Sequence, residues 1–493
     1  MTRSVPLSRV VGRLRAEGLL ATGDGYQGGE VVGVTADSRR VEPGWLFCAL
    51  AGTGADGHDF VTGAARRRAA AVLVERRVKG VGVQQIRVTD GRLAAAFAAA
   101  EFFADPWQKM TVIGVTGTNG KTTTVSILRH LLAGEGAAVS LGTLGVVAAD
   151  GEVLPGTEGL TTPGPVEVAW WLARFAADGV KSVAMEVSSH GLDQKRAAAI
   201  RFDAAVFTNL GRDHLDYHRT VEHYRNSKLG LLGLLKQGGV AVLNCDDPVW
   251  GQVNPPPPLR AVRFGISSGA EVRAQEVHLD ARGSRWTLRT PDGQREVRAP
   301  FLGMHNVSNA LAAVATARAL GGKVGPVANR LRSAPQIPGR LERVESGPER
   351  AAVVIDFAHT AEALRQALET LRPLTRGRLL VVFGAGGDRD PGKRPELGRV
   401  AAGLADFTVV TSDNPRSESP EHIAGQIEKG MGDAPRVRVL DRSEAIRYAL
   451  AVTGPGDTVL LAGKGHERYQ LWNGERRPLD EREVVRRVLE ESG

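Results

Sequence analysis

Short apolar runs separated by glycine-rich turns dominate the first hundred residues. Residues 31–35, 46–50, 71–74 and 85–88 each read as a strand, and an alanine-rich stretch near 93–103 has the length and composition of a helix. Pro106-Trp107, just before another apolar run begins after Lys109, predicts a boundary. From Thr111 onward strand, loop and helix repeat, the pattern of a mostly parallel sheet covered by helices. That pattern breaks once. Between Asn254-Pro255-Pro256-Pro257-Pro258 and Phe301, polar and apolar positions alternate around Pro291-Asp292-Gly293, which predicts a small antiparallel hairpin insertion. A long Ala-rich helix follows at about 306–320, and Pro335 with Pro338-Gly339 predicts a second hinge. Strands at 351–356, 378–383, 407–411 and 458–462 then alternate with helices. The expected fold is α/β with three domains: 1–107; 108–337, a central parallel sheet with the antiparallel insertion; and 338–493, Rossmann-like.

Composition narrows the class. With 493 residues, 42% hydrophobic and 24% charged, the chain reads as ordinary globular protein. Lys+Arg 63 against Asp+Glu 55 gives +8, but the basic residues are interleaved with acidic ones, so no nucleic-acid partner is expected. Cys48 and Cys245 lack metal-ligand spacing and read as buried free thiols. Neither a signal peptide nor a run of transmembrane length is legible, so a cytoplasmic protein without membrane insertion is expected.

The first chemical signal lies at a strand-to-helix junction. Residues 111–115 form an apolar strand, and from Thr122 the positions Val125, Leu128, Leu131 and Leu132 have helical spacing. Thr116-Gly117-Thr118-Asn119-Gly120-Lys121-Thr122 lies between them. There glycines let backbone N–H groups close around phosphate, Lys121 can reach the β/γ oxygens, and the Thr122 hydroxyl can bind Mg²⁺. The general phosphate-loop pattern wants glycine where this chain has Val115, with a glycine displaced to Gly117.

A second apolar run, 183–187, is broken by Glu186 and followed by Ser188-Ser189-His190-Gly191. A carboxylate there is costly unless it meets a cation, so Glu186 is a candidate Mg²⁺ ligand beside Thr122. A further run, 202–210, leads into Gly211-Arg212-Asp213-His214-Leu215-Asp216-Tyr217-His218. An N-cap role for Asp213 and solvated histidines are the plainer readings of that segment. Spacing alone makes Lys228 an exposed helix lysine.

Gly117-Thr118-Asn119-Gly120-Lys121-Thr122-Thr123 resembles the ATP loop of the Mur ligases, the enzymes that build the peptidoglycan stem peptide and are related to folylpolyglutamate synthetase. Glu186 to Gly191 and Thr208-Asn209-Leu210 with Asp213 to Asp216 are similar to the same family. The resemblance implies that ATP and Mg²⁺ are used, that Glu186 and His214 bind the metal, and that Lys228 is carbamylated, its carbamate serving a second Mg²⁺. It implies further that Asn306 and Asn309 lie near the adenine, and that Arg340, Asp356 and His359 belong to elements closing over ATP, with Arg340 stabilising charge on the phosphoryl group. Phe357 stands where the family commonly has tyrosine, and Ala361 where it has proline.

Asp37-Ser38-Arg39 and Thr53-Gly54-Ala55 look by spacing like turns and caps; the resemblance makes Ser38, Thr53, Gly54 and Ala55 part of a pocket for uridine diphosphate. Thr161, Thr162, Ser188, Gln194 and Arg196 match positions that hold a muramoyl-peptide. Three strand-end loops, Gly384 to Asp390 with Arg389, Asp413-Asn414-Pro415-Arg416, and Gly463 to Glu467, resemble the amino-acid site of the family branch that adds meso-diaminopimelate. Arg416 and Arg389 suit carboxylates and Glu467 a distal ammonium, whereas L-lysine would leave Arg416 unpaired. The expected partners are therefore UDP-MurNAc-L-Ala-D-Glu and meso-diaminopimelate, acted on by a monomer. Lys121, Lys228, His214 and Arg340 carry the catalysis in this reading. Addition of lysine or glutamate by the same chemistry, and a nucleotide-sugar-binding scaffold without catalysis, are the alternatives.

Overall fold

The computed structural model describes residues 3–52, 55–155, 157 and 159–491. By backbone contacts it divides into two compact units: 1–275 with 288–295 and 308–331, and 276–287 with 296–307 and 332–493.

In the first unit a four-stranded parallel sheet comes earliest, in the order β1 (Gly33–Thr35), β2 (Trp45–Cys48), β3 (Ala71–Val74), β4 (Gln85–Arg87). Helix Gly91–Phe103 follows, opened by the Asp90 carboxylate, which accepts from the N–H of Leu93. Its alanines 94–96 and 98–100 are buried nearly all round, because a helix of small apolar residues can be enclosed on several sides. Helices Leu7–Ala16 and Pro165–Ala177 pack against it. One hydrophobic core therefore runs unbroken from Val5 through the buried Trp107 to Phe202 and Trp250. Cys48 lies in that core, its thiol pushed up to about 12 by burial, while Cys245 is half-buried and not enclosed as expected.

The larger sheet of this unit comprises β5 (Thr111–Thr116), β6 (Ala138–Gly142), β7 (Gly145–Val147), β8 (Ser182–Glu186), β9 (Phe202–Phe207), β10 (Leu235–Asn244) and β11 (Arg260–Gly265). The strand order is β11-β10-β9-β5-β8-β6-β7, parallel except for the antiparallel β7. β5 is central, with β8 on one side (Glu186 opposite Val115) and β9 on the other (Phe207 opposite Thr116). The chain leaves β5 for one side and later returns to the other, so a crevice opens at the carboxyl end of β5, where such sheets bind ligands. β12 (Val272–Asp280) pairs with β11 through Val272 and Arg273, and β13 (Gly283–Thr290) and β14 (Gly293–Ala299) are joined by Pro291-Asp292, which is the expected hairpin.

The second unit holds β15 (Glu342–Val344), β16 (Ala352–Asp356), β17 (Leu379–Phe383), β18 (Phe407–Val410), β19 (Arg436–Arg438) and β20 (Thr458–Ala462), in the order β15-β16-β20-β17-β18-β19. All neighbours are parallel except β15 with β16. Alternate residues feed two cores, Val354, Val381 and Phe383 into one and Val353, Leu380 and Val382 into the other, so both faces are covered. Behind the carboxyl ends of β18 and β20 lies a fully buried ion pair, Arg442 with Glu481 at 2.8 Å. The same guanidinium donates to the carbonyls of Ser412 (3.2 Å) and Ala462 (2.8 Å).

Candidate active site

The loop after β5 is shaped by what surrounds it. Gly117 has φ +152° and a Cβ there would overlap the Thr208 hydroxyl; Gly120, at φ +83°, has the Asn309 side-chain oxygen in the same position. These close approaches, and not the missing glycine at Val115, set the loop, since Val115 is a buried strand residue paired with Glu186 and Val206. Thr208 Oγ1 donates to the Asn119 carbonyl at 2.6 Å, Thr118 N–H donates to Asn209 O at 2.8 Å, and the Asn209 amide brackets Asn119 from both sides. Lys121 opens helix Lys121–Leu132 and its ammonium donates to the carbonyls of Gly117 and Thr118, each at 2.9 Å. Thr122 and Thr123 follow in the first turn, both buried.

Glu186 ends β8, 1% exposed, beside this loop. Its two oxygens accept from the N–H (2.8 Å) and hydroxyl (3.2 Å) of Thr143, and a Cβ at Gly142 would collide with it. Among the described residues it makes no ion pair. Lys228 lies on helix Val221–Leu229, also 1% exposed, and donates to the Gly117 carbonyl at 2.8 Å. Burial, and after it the Lys121 ammonium, push its pKa well below the ordinary lysine value against the pull of Asp213. The lysine that spacing makes exposed is thus enclosed and directed at the loop that holds Lys121.

His214, in the left-handed region at φ +53°, is half-exposed with its ring 4.7 Å from that of His190 and 6.3 Å from Tyr224. Tyr224 meets Thr118 Oγ1 at 3.0 Å. The His214 pKa is lowered by burial, offset by Asp213 and helped by Lys121 and Lys228, which favours the neutral imidazole that metals bind. Lys121, His214 and Lys228 therefore lie close enough to influence one another, and Glu186 ends the strand beside the one that leads into their loop.

Next to it, the buried Thr162 hydroxyl donates to Glu186 O at 3.0 Å and accepts from Ser188 N at 2.9 Å, while Thr161 and Thr143 hydroxyls meet at 3.2 Å. Arg196 donates to Thr162 O at 2.7 Å and to Gln194 Oε1 through Nε and Nη2, and the Gln194 amide reaches Tyr217 Oη at 3.3 Å. Ser38 begins a short turn capped by Asp37, whose carboxylate is already paired with Arg39; Ala55 is exposed, and Thr53 and Gly54 lie outside the described residues.

In the second unit, Arg340 sits 5.0 Å over the Phe357 ring, which also approaches His359 (4.6 Å) and His466 (5.1 Å), so the aromatic contact survives where tyrosine is commoner. Asp356, at the end of β16, accepts from Leu341 N at 2.7 Å; burial raises its carboxyl against the lowering pull of Arg340. Asn306 is buried and its amide donates back to Leu302 O at 2.9 Å. The loops after β17, β18 and β20 come together: Arg416 donates to Gly387 O at 2.7 Å, Gly387 N–H to Asn414 O at 2.9 Å, and a Cβ at Gly463 would lie 2.6 Å from Asp413 Oδ2. Asn414 Nδ2 donates to Glu467 Oε2 at 2.9 Å, Pro415 is buried between Asn414 and Arg416 in sequence, and Arg389 is exposed.

Several supporting residues escape a reading by motif. Thr143 presents Glu186, and Asp247 accepts from Leu210 N at 2.8 Å, fixing the segment that leads to His214. In the second unit Arg394, buried, joins Glu418, Gln426 and Gly386 O, and Lys464 joins Asn414 to Glu467. The Asn-Cys-Asp-Asp ending of the run 240–243 is the available signal for Asp247; Arg394 and Lys464 look like surface residues in sequence.

A parallel sheet with a phosphate loop at its central strand and a buried carboxylate and lysine beside it defines a nucleoside-triphosphate-using enzyme of the α/β class. Three family models match: "Mur ligase family, catalytic domain" over residues 30–103, "Mur ligase middle domain" over 115–317, and "Mur ligase, glutamate ligase domain" over 339–465. The UDP-N-acetylmuramoyl-L-alanyl-D-glutamate--2,6-diaminopimelate ligases of Geobacillus kaustophilus and Caulobacter vibrioides are 41% and 42% identical, over 94% and 93% of this chain and 96% of each relative. A solved structure of a ligase of that name superposes with a TM-score of 0.67 at 32% identity, covering 94% of this chain and 95% of the other. The MurF ligase of Thermotoga maritima in complex with ADP, at 22% identity and TM-score 0.64, shares the fold. The chain belongs to the Mur ligase family, whose members are ATP-dependent, ADP-forming ligases. Among the described residues, no helix is long and apolar enough to cross a membrane.

Proposed function

We propose that this chain joins meso-diaminopimelate to the D-glutamate carboxylate of UDP-N-acetylmuramoyl-L-alanyl-D-glutamate at the expense of ATP. The observation that carries the chemistry is Glu186, a buried carboxylate without an ionic partner among the described residues, at the end of the strand next to the one that carries the phosphate loop, to which Lys228 donates. Buried charge of that kind calls for a cation, so the donor set fits Mg²⁺, held by Thr122, Glu186, His214 and a carbamate on Lys228. When bound, the metal supplies charge neutralisation on phosphate oxygens.

The chain's own groups do the rest. Backbone N–H groups of residues 117–123 and Lys121 hold the β- and γ-phosphates, and Arg340 offsets the charge that develops as the γ-phosphoryl group passes to the carboxylate. The amine then attacks the acyl phosphate and phosphate leaves. Asn306, Asn309, Asp356 and His359 attend the nucleotide. Thr161, Thr162, Ser188, Gln194 and Arg196 orient the muramoyl-peptide; Ser38, Thr53, Gly54 and Ala55 take the uridine diphosphate. Arg389, Asp413, Asn414, Pro415, Arg416, Gly463 and Glu467 take the amine. In this division of labour 1–107 binds the UDP end, 108–337 ATP, and 338–493 the amino acid, in a cytoplasmic monomer.

ADP release with the UDP-muramoyl-dipeptide and a panel of amines tests the reading. ADP is expected only when both acceptors are present, with meso-diaminopimelate preferred. Equal rates with L-lysine would sink the amine assignment, and no release with any amine would sink the ligase. The lowered pKa of Lys228 favours its free amine, the form that attacks CO₂ to give a carbamate and a proton. Lys228→Ala is expected to lower kcat ~100-fold, the scale of losing a metal-site group. Acetate should restore part of the rate, and wild-type enzyme in ¹³C-bicarbonate should show a carbamate resonance that the variant lacks. A variant of undiminished rate would remove Lys228 from the site.

A further inference from the structure

Lys464 is 0% exposed, and its ammonium is spent on two side chains that the amine loops share. It donates to Asn414 Oδ1 at 2.9 Å and forms a short ion pair with Glu467 Oε2, with the Tyr469 ring 5.4 Å away. Asn414 closes the triangle by donating Nδ2 to the same Glu467 oxygen at 2.9 Å, and its Oδ1 also accepts from Leu471 N at 2.9 Å. Leu471 O in turn accepts from the N–H of Arg416 at 2.9 Å, and Asn473 N–H donates to Arg416 O at 2.7 Å. Arg416 itself is held at φ +53°. One enclosed cation is thus linked to both ends of the proposed amine pocket. Glu467 Oε1, by contrast, has no hydrogen-bond partner among the described residues.

We propose that Lys464 is a positioning residue for amine selection: by claiming Glu467 Oε2 and Asn414 Oδ1 it leaves Glu467 a single presented anionic oxygen for the substrate's ammonium and fixes its distance from Arg416. Being buried, Lys464 acts through its partners and not on the ligand. A second effect is on charge. Burial alone would raise the Glu467 carboxyl, but the Lys464 ammonium, its hydrogen bond and that of Asn414 bring it below the ordinary value. Among the described residues, the titratable groups that act most on Glu467 are Lys464 and His466, and His466 is itself pushed down to about 4, mainly by burial and then by Arg340. His466 is accordingly neutral near pH 7. The inference rests on reading these loops as the amine site.

Steady-state kinetics in each substrate separates the possibilities. Lys464→Met is expected to raise the KM for meso-diaminopimelate about 50-fold, with kcat and the KM values for ATP and acceptor within about 3-fold of wild type, since a lost charge partner in a specific pocket is felt by the group it orients. Without its cation the Glu467 carboxyl rises, so its anion is lost at higher pH, and the acid limb of kcat/KM for the amine should move up by about one pH unit. Lys464→Met/Glu467→Gln leaves neither charge buried alone; it should keep the raised KM and lose the acid limb, and it serves where the single variant does not fold. An unchanged amine KM and acid limb in a variant that melts like wild type overturns the proposal, as do equal increases in all three KM values. Should wild type prefer another amine, that amine's KM is read in the same way, and only the diaminopimelate assignment falls.

Discussion

Lys121→Ala is expected to release ADP about 1,000-fold more slowly than wild type, the scale on which a lost preorganised charge over a transferring phosphoryl group is felt. Two features make the effect kinetic and not structural. The ammonium is held by the carbonyls of Gly117 and Thr118, but the loop's shape is set by other groups, the Thr208 hydroxyl, the Asn209 amide and the close approaches at Gly117 and Gly120. Alanine also favours the helix that begins at this position. The variant should therefore melt close to wild type and bind the UDP-muramoyl-dipeptide as well, while kcat collapses. Because Lys121 helps to depress Lys228 and His214, its removal should also let both gain protons more readily. A residual rate above about one tenth of wild type would show that phosphoryl transfer does not depend on this lysine.

The second large effect is expected at Arg416, and it concerns choice more than rate. A guanidinium held beside Gly387 O and braced by the hairpin partners of its own backbone is a fixed fork, suited to a carboxylate at the far end of the amine. L-Lysine offers no carboxylate there, so on the proposed reading it would leave the guanidinium without its carboxylate partner and be rejected. Arg416→Ala should lower kcat/KM for meso-diaminopimelate about 1,000-fold and leave that for L-lysine unchanged or higher, so that discrimination by this half-buried site, about 10,000-fold where a substrate's polar partner goes unmet, falls to within about 10-fold. Arg416→Lys should resemble alanine, because a point charge does not reproduce the fork. Competition between the two amines, scored by the mass of the product, measures the ratio directly; a preference that survives Arg416→Ala would place amine selection elsewhere.

The strands were legible because most are buried on both faces and read as uninterrupted apolar runs: 71–74 and 458–462 coincide with the observed elements, and 111–115 falls one residue short. Helix Leu7–Ala16 was missed although Leu7, Val10, Val11 and Leu14 fall on one buried face, since arginines dilute the run. Pro106-Trp107 reads as a boundary because proline interrupts local structure; Trp107 itself is buried in a core to which the segments on either side both contribute. In the site, Lys121 and Glu186 could be read from strand-end chemistry alone. Lys228 could not, because a polar helix hides which face meets the phosphate loop. Lys464 and Arg394 stayed hidden for a related reason: each is a cation whose carboxylate partner is fixed by loop folding and carries no periodic mark in sequence.

On the amine site proposed above, the last described helix also bears on recognition. Glu481, in the first turn of the last described helix, neutralises the one guanidinium that clasps the carbonyls just ahead of Asp413 and Gly463. An affinity tag that pries this helix away, or a shortened expression product that omits it, would strand a cation in the interior and slacken two of the three recognition loops. Preparations altered at that end are apt to look like specificity mutants although every residue near the substrate is intact.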